Sequence, residues 1–331
     1  MKTATTVFEL SKILKISAST VSRALKNHPD IAPETRKRVL DLAKELDYVP
    51  NLQAVGLRTN KSREFAVVVP NLSGFFYHSF ITALESAAGK VGYSLFILLS
   101  GDDPAMEEAH IKLCRQRKVA GVFACITPGT QNLLPFSRLL HVKIPVIFFD
   151  KVPIHDEFVK VCVADEQAAK IAASTLIQSN RKKILSIFGD MHLSISRRRH
   201  DTFVRTFEEG GSSDKLTIEM ATNSDQAREL AIRWLSDEEK PDAIFCMSDE
   251  ILIGVMKAIQ ILGRSIPDEV GVIAISNGFF PKVYYPEITY VETSGEKLGQ
   301  LAFDTMIGYL NGDHNTSEYT VESMLVAGGS L

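Results

Sequence analysis

Residues 17–25, Ser17-Ala18-Ser19-Thr20-Val21-Ser22-Arg23-Ala24-Leu25, carry the strongest chemical signal in the chain. As a helix capped by Ser17, the segment turns Val21, Ala24 and Leu25 to one side and Ala18, Ser19, Ser22 and Arg23 to the other. Eight residues at a rise of ~1.5 Å make a rod of about 12 Å, the width of a B-DNA major groove. Small residues at its N-terminal end let the backbone approach base edges. Arg23 can then donate a pair of hydrogen bonds to a guanine or to a phosphate. An ordinary surface helix is the competing reading. Catalytic patterns do not occur: there is no GxGxxG, P-loop, GxSxG or HExxH, and no two histidines stand at i, i+4. Glu107-Glu108-Ala109-His110, the nearest approach to a metal-ligand pattern, reads as a solvated helix face. No metal, no cofactor and no enzymatic activity are expected.

Flanking helices must hold that rod. Thr6 can cap a first helix whose apolar Val7, Leu10, Ile13 and Leu14 recur at helical spacing. Only Lys15 and Ile16 separate it from Ser17, the tight join of a helix-turn-helix. A side chain at Lys15 costs ~1 kcal/mol if the turn demands positive φ. Pro33 opens a third helix, Glu34 to Tyr48, with Val39, Leu42, Ala43 and Leu46 inward. Residues 51–63 have too few apolar positions to pack, and Gly56 and Asn60 weaken any helix there, so they read as a conditionally ordered hinge.

From Phe65 the pattern changes to apolar strands alternating with amphipathic helices. The strands are Phe65–Val69, Ser94–Leu99, Gly121–Ile126, Val146–Phe149, Ile184–Phe188, Ala243–Met247 and Val270–Ile275. Helices such as Phe76–Val91, Asp165–Gln178 and Asp249–Leu262 fill the gaps. Strands apolar throughout mean parallel sheets covered on both faces, and so long a stretch predicts two α/β lobes. Ligands in such folds bind beyond the carboxyl ends of the strands, here between the lobes.

Charge divides the same way. The 331 residues carry a formal net charge of −3, yet residues 1–63 hold 12 Lys and Arg against 6 Asp and Glu, and the remainder 25 against 34. A basic head on an acidic body fits a head that meets a polyanion; a solvated basic helix carries the same charges. No apolar run approaches the ~18 residues of a membrane span, and Glu9 and Lys12 interrupt any secretory h-region. The four cysteines lie in or beside apolar segments without a CxxC, as buried free thiols of a reducing cytoplasm do.

Ser17–Leu25, then Pro33-Glu34-Thr35-Arg36-Lys37-Arg38-Val39, Leu46-Asp47-Tyr48-Val49-Pro50-Asn51 and Leu57-Arg58-Thr59 resemble the LacI/GalR bacterial transcription regulators in order and spacing. The resemblance runs over essentially the whole chain. It implies a small all-α helix-turn-helix head (1–50), a hinge helix or linker (51–63) and an effector-binding body (64–331). That body would have two periplasmic-binding-protein-like lobes with parallel sheets and three chain crossings. The N-lobe would comprise about 64–163 and 292–320, the C-lobe about 164–291 and 321–331. The head would read palindromic operator DNA as a homodimer, typically as a repressor. By resemblance Ala18, Ser19 and Arg23 meet bases, Thr20 and Ser22 meet phosphates, and Leu57 wedges into the minor groove. Thr6, Ser17, Asn51, Ala54 and Arg58 complete the expected DNA-facing set.

For the effector, the resemblance points to Phe75 and Phe76, which stack on a sugar or base or else anchor the core. Asp150 bridges hydroxyls, or serves as a cap or hinge. Arg199 holds the effector or pairs structurally. Ser248 and Asp249 form a polar pair, with helix capping as the alternative for Asp249. Where the family commonly has Gly-Phe-Asp-Asp, this chain has Ala274-Ile275-Ser276-Asn277, so a hydroxyl replaces a carboxylate; Thr222 falls where some sugar sensors place an aromatic. With Arg197, Arg198, Arg199 and Lys151 nearby, these departures shift the expected cleft charge toward positive. That charge favours an anionic ligand, a sugar phosphate or a uronate. A neutral sugar is the alternative, since Arg197 and Arg198 can point to solvent and Asn277 with Ser276 can hydrogen-bond neutral hydroxyls. A solute-binding receptor without DNA function is the alternative reading.

Overall fold

The computed structural model describes residues 5–49, 62–72, 74–154, 157–315 and 317–331. The chain falls into two compact units, Met1–Ser62 and Arg63–Leu331. The expected hinge residues Asn51, Ala54, Leu57 and Arg58 lie outside the described residues.

The first unit contains α1 (Val7–Leu14), α2 (Ala18–Leu25) and α3 (Pro33–Glu45) around buried Leu10, Val21, Ala24, Val39 and Ala43. A capping box opens α1: Glu9 N–H donates to Thr6 Oγ1 at 3.2 Å and Thr6 N–H to Glu9 Oε2 at 2.8 Å. Lys15 takes the left-handed conformation, φ 56° and ψ 39°, which turns the chain sharply into the Ser17 cap. Ile13, expected inward, is exposed; the narrow buried stripe of this two-turn helix is taken by Leu10 and Ser11. The third helix stops at Glu45 instead of continuing to Tyr48. Asp47 turns left-handed, φ 49°, and Tyr48 N–H folds back onto Ala43 O at 2.8 Å, ending the helix as a Schellman turn does.

The second unit has two six-stranded sheets. In chain order its elements are β1 (Glu64–Val69), α4 (Phe75–Lys90), β2 (Ser94–Leu99), α5 (Pro104–Arg117), β3 (Gly121–Ala124), α6 (Leu134–His141), β4 (Val146–Phe149) and β5 (Val159–Val163). Then come α7 (Asp165–Gln178), β6 (Ile184–Phe188), α8 (Ser194–Glu209), β7 (Leu216–Met220), α9 (Ser224–Leu235), β8 (Ala243–Cys246), α10 (Asp249–Ile261), β9 (Gly271–Ser276), β10 (Thr289–Glu292), α11 (Gly295–Leu310), β11 (Glu318–Val321) and β12 (Met324–Val326). The first sheet runs β11-β5-β4-β3-β1-β2 and is parallel throughout. The second runs β12-β10-β9-β8-β6-β7, with only β12 antiparallel to its neighbour. The chain passes between sheets after β5, after β10 and after β11. Because the strands of each sheet run in parallel, their carboxyl ends face one another across a cleft.

Sequence periodicity missed β5, β7, β10, β11 and β12. A buried lysine, Lys160, interrupts the apolar run of β5, and β11 and β12 are too short for a periodic signal. Another surprise lies on α5. Glu107 belongs to no solvated face: it is 3 % exposed and its oxygens accept from Thr127 N at 2.9 Å and Thr130 Oγ1 at 2.7 Å. The carboxylate thus ties α5 to the loop after β3. Burial raises its pKa, while the Thr130 and Thr127 hydrogen bonds pull it part of the way back.

Removing this acceptor orphans a buried amide, so Glu107→Ala should lower unfolding free energy by about 1–3 kcal/mol in urea melts. Glu107→Gln can still accept from Thr127 N and donate to Thr130 Oγ1, and should cost less than half as much. Because the folded pKa lies above the unfolded one, the wild-type contribution is complete at low pH and declines as pH rises through the folded value. The Gln variant should lack that decline; an unchanged pH profile would show Glu107 to be solvated after all.

Candidate DNA-reading helix and effector cleft

In the first unit, Ser17 caps α2 by accepting from Thr20 N at 3.1 Å, and its hydroxyl also lies 2.7 Å from Ser19 Oγ and 2.8 Å from Thr20 Oγ1. Val21 and Ala24 are buried, which fixes the helix's rotation. Ala18, Ser19 and Arg23 are left exposed, with Thr20 and Ser22 at the margin. No acidic residue stands in the first turn. Arg36 is already committed, donating to His28 O at 2.9 Å and Ile31 O at 3.3 Å. A small-residue tip followed by an exposed guanidinium is a surface that can enter a groove and donate to base edges or phosphate. Thr6 is committed to capping α1.

In the second unit, the strand ends enclose a cavity of about 560 Å³, and Phe75, Phe76, Asp150, Arg199, Ser248, Asp249, Ser276 and Asn277 all line it. Asp150 follows β4 in a left-handed conformation, φ 59°, which turns its carboxyl inward. There it accepts from Tyr77 O–H at 2.9 Å. Burial, and next the Asp150 charge, hold the Tyr77 hydroxyl well above the usual phenol range. Beside them burial pushes the Cys125 thiol up to about 12. Across the cleft floor Arg199 donates through Nε to Asp165 Oδ1 and through Nη1 to Met247 O, both at 2.8 Å. Burial raises Asp165 to about 6 despite the pull of Arg199, and Asp150 adds to the rise.

The polar pair after β8 divides its work. Ser248, not Asp249, caps α10, accepting from Ile251 N at 3.4 Å. Asp249 instead accepts from the Ser276 hydroxyl and from Asn277 N at 3.3 Å. Gly278 N–H donates back to Ser276 Oγ at 2.9 Å. Ser276, expected to substitute for a ligand-chelating carboxylate, therefore orients Asp249. Gly278 has φ +90°, and a Cβ there would stand 2.7 Å from the Tyr290 hydroxyl, so the turn requires glycine.

Several cleft residues escaped the sequence reading. Nothing in the sequence singles out Tyr77 within the helix expected over Phe76–Val91. Phe279 stacks on Phe75 with ring centroids 3.7 Å apart and planes 12° apart, closing one mouth of the cleft from both lobes, and Phe280 meets Phe75 edge-on at 5.4 Å. Two adjacent phenylalanines after a strand end were the available signal. Ser196 lines the cavity, fully buried, and its hydroxyl has no hydrogen-bond partner among the described residues.

The positive balance expected of the cleft is not there. Arg197 turns to the carbonyls of Met191 and His192, each at 3.0 Å, and Arg198 forms a two-pronged pair with Glu318 of β11. The lining holds two cations, Lys151 and Arg199, against five carboxyls: Asp102, Asp150, Asp190, Asp249 and Glu250. Asp102 lies 3.6 Å from Lys151. Among the described residues no His/Cys/Asp/Glu group is arranged to hold a metal, and no helix is long and apolar enough to cross a membrane.

With this geometry in view, comparison with known proteins is specific. Residues 13–51 match the family model of bacterial regulatory proteins, lacI family, and residues 173–331 that of the periplasmic binding protein-like domain. Catabolite control protein A of Priestia megaterium is 27% identical over 97% of this chain and 95% of its own length. The transcriptional repressor PurR of Vibrio vulnificus is 24% identical, covering 91% of each chain. The fold matches the lac repressor dimer bound to operator and the anti-inducer ONPF with a TM-score of 0.88, at 17% identity over 99% of both chains. An operator-reading head joined to a two-lobed ligand-binding body defines a ligand-responsive DNA-binding regulator, not an enzyme. Residues 13–51 carry the lacI-family signature, and the chain along nearly its whole length is similar to LacI/GalR bacterial transcription regulators.

The Arg199–Asp165 pair gives a test of the cleft floor. Arg199→Met should cost about 3–5 kcal/mol of stability near neutral pH, because it leaves a buried carboxylate uncompensated. The pKa of Asp165, already raised, rises further without Arg199, so that residue is protonated at mildly acidic pH and its penalty is lost there. Chemical denaturation at about pH 5 and about pH 8 should thus show a deficit that grows with pH; a pH-independent deficit would mean that Asp165 is not the group left behind.

Proposed function

We propose that the protein is a homodimeric repressor that reads a palindromic operator, with an affinity set by a neutral, polyhydroxylated effector, a carbohydrate, in the cleft of its body. Residues 1–50 are the reading head and 51–63 the hinge. Ala18, Ser19 and Arg23 meet base edges, while Thr20 and Ser22 meet phosphates. Asn51, Ala54 and Arg58 complete the DNA-facing set, with Leu57 as the minor-groove wedge.

The charge of the cleft wall carries the effector class. Of its two cations, Arg199 is already matched by Asp165 and Lys151 stands beside Asp102, and the remaining carboxyls outnumber them. Carboxylates accept hydrogen bonds from hydroxyls in any orientation, whereas an anion would meet more like charge than opposite. The solved relatives point the same way. A LacI-type regulator of Alkaliphilus metalliredigens was solved with D-xylulofuranose (TM-score 0.68) and the regulator CelR with cellobiose (TM-score 0.71). The dimeric state of the lac repressor on operator supports a homodimer here. Effector occupancy shifts the balance between lobe arrangements. That shift alters the separation of the two hinges in the dimer, and so whether both engage DNA.

Two measurements test this reading. On duplexes selected by the full chain, Arg23→Ala should relax preference at one base position by about 1–3 kcal/mol. Loss spread evenly over all sequences would make Arg23 a phosphate contact. In a thermal-shift screen of neutral sugars and their uronate counterparts, a neutral sugar should bind with an affinity insensitive to salt, weakened at least tenfold by Asp150→Asn. A uronate bound instead, and lost in Arg199→Lys, would overturn the effector class.

A further inference from the structure

Beside the effector cleft lies a second cavity, about 280 Å³, between the loop after β3, the segment Lys151–Ile154 after β4, and residues 192–197 at the start of α8. The first two belong to one sheet's lobe and the third to the other's. Its lining is the electrostatic inverse of its neighbour. Lys151, His192 and Arg197 supply three basic side chains, Thr127, Thr130, Gln131 and Ser194 supply hydrogen-bonding groups, and among the described residues no carboxyl lines it. Of the nearby acids, Asp102 stands 3.6 Å from Lys151 and offsets part of its charge, both oxygens of Glu107 accept from Thr127 and Thr130, and Asp190 Oδ1 accepts from His192 N at 2.8 Å, so Arg197 is the cation that carries the site. Arg197 is anchored by the Met191 and His192 carbonyls and, among the described residues, pairs with no carboxylate. Anchoring by neutral acceptors leaves its full positive charge uncompensated at the cavity, with its orientation already fixed. The first turn of α8 carries no acidic residue and no side-chain cap, which adds to the positive potential.

We propose that this side cavity is a second ligand site, separate from the effector cleft, for a small oxyanion: free phosphate or the phosphoryl group of a small phosphomonoester. Arg197 and His192 come from one lobe and Lys151 from the other, so an anion held among them bridges the lobes where Val152 N–H already donates to Ser194 Oγ at 3.3 Å. Lys151, Pro128 and Leu193 line both cavities, so occupancy of one is felt in the other. The inference does not depend on what fills the main cleft.

The test uses the full chain and isothermal titration with inorganic phosphate, glycerol 3-phosphate and glycerol, at ionic strength held constant with chloride. Saturable binding of inorganic phosphate or of glycerol 3-phosphate is expected, with glycerol silent; the tighter of the two identifies the source. Arg197→Gln should weaken it at least tenfold. So should Ile154→Glu, which places a carboxylate on an exposed wall residue without touching an anchoring hydrogen bond. Arg198→Gln, whose side chain faces Glu318, and Arg23→Ala, in the DNA-reading head, should leave it unchanged. Binding no stronger than chloride's, or binding equal to wild type in both Arg197→Gln and Ile154→Glu, would overturn the proposal. Binding lost in Arg199→Lys but kept in Arg197→Gln would place the anion in the main cleft and overturn it equally.

Discussion

A single buried guanidinium organises the floor of the ligand-binding body. Arg199 on α8 reaches Asp165, the first residue of α7 after the chain has crossed from one sheet to the other, and the carbonyl of Met247, where β8 ends. Three segments that share no sequence neighbourhood are thereby held at one point. A buried charge is tolerable only when matched and fully hydrogen-bonded. Asp165 matches it while sitting itself at the entry to a lobe crossing, so the geometry of the crossing and the solvation of the arginine are one problem. The cost shows in the raised pKa of Asp165, which burial dominates.

From that floor outward, the cleft is built by carboxylates positioned by hydroxyls. Tyr77 holds Asp150 from one lobe and Ser276 holds Asp249 from the other. Replacing a strand-end carboxylate with serine therefore does not strip the site of acid. A carboxylate remains one strand over, at Asp249, and Ser276 is the residue that aims it. The separation of charge between the acidic cleft and the basic side cavity follows from helix geometry. Arg197, Arg198 and Arg199 stand about 100° apart around α8, so they must face three different environments.

That last point bears on what the sequence could reveal. Helix caps at Thr6 and Ser17 and the strands β1 to β4, β6, β8 and β9 were legible, because each rests on local chemistry or on short periodic runs. The eight residues that line one cavity were named through the family resemblance and not by periodicity. The direction of each arginine was also legible in principle. A tally of nearby charge counts Arg197 and Arg198 toward the cleft beside Arg199, whereas helical rotation turns the three to different environments. Other features were hidden for physical reasons. Glu107 looks solvated until the loop after β3 folds over it, and Lys160 disguises a central strand as a surface segment. The stack of Phe279 on Phe75 joins residues about two hundred positions apart and depends on how the lobes meet.

The contacts that join the lobes across the cleft are few and individually modest. An offset aromatic stack contributes about 0.5–1.5 kcal/mol beyond its buried area. The partly exposed Arg198–Glu318 pair is screened, and exposed ion pairs are generally worth no more than about 1 kcal/mol. The Val152–Ser194 hydrogen bond adds about 1 kcal/mol. Such a set holds one lobe arrangement by only a few kcal/mol. A ligand can move a two-state balance by no more than its differential affinity, and a near-complete switch from one side to the other needs about 5.5 kcal/mol. A body latched this lightly lies within reach of one small molecule, and the proposed effector would meet a carboxylate from each lobe, Asp150 and Asp249. A more heavily bonded interface would make the regulator deaf to the same ligand.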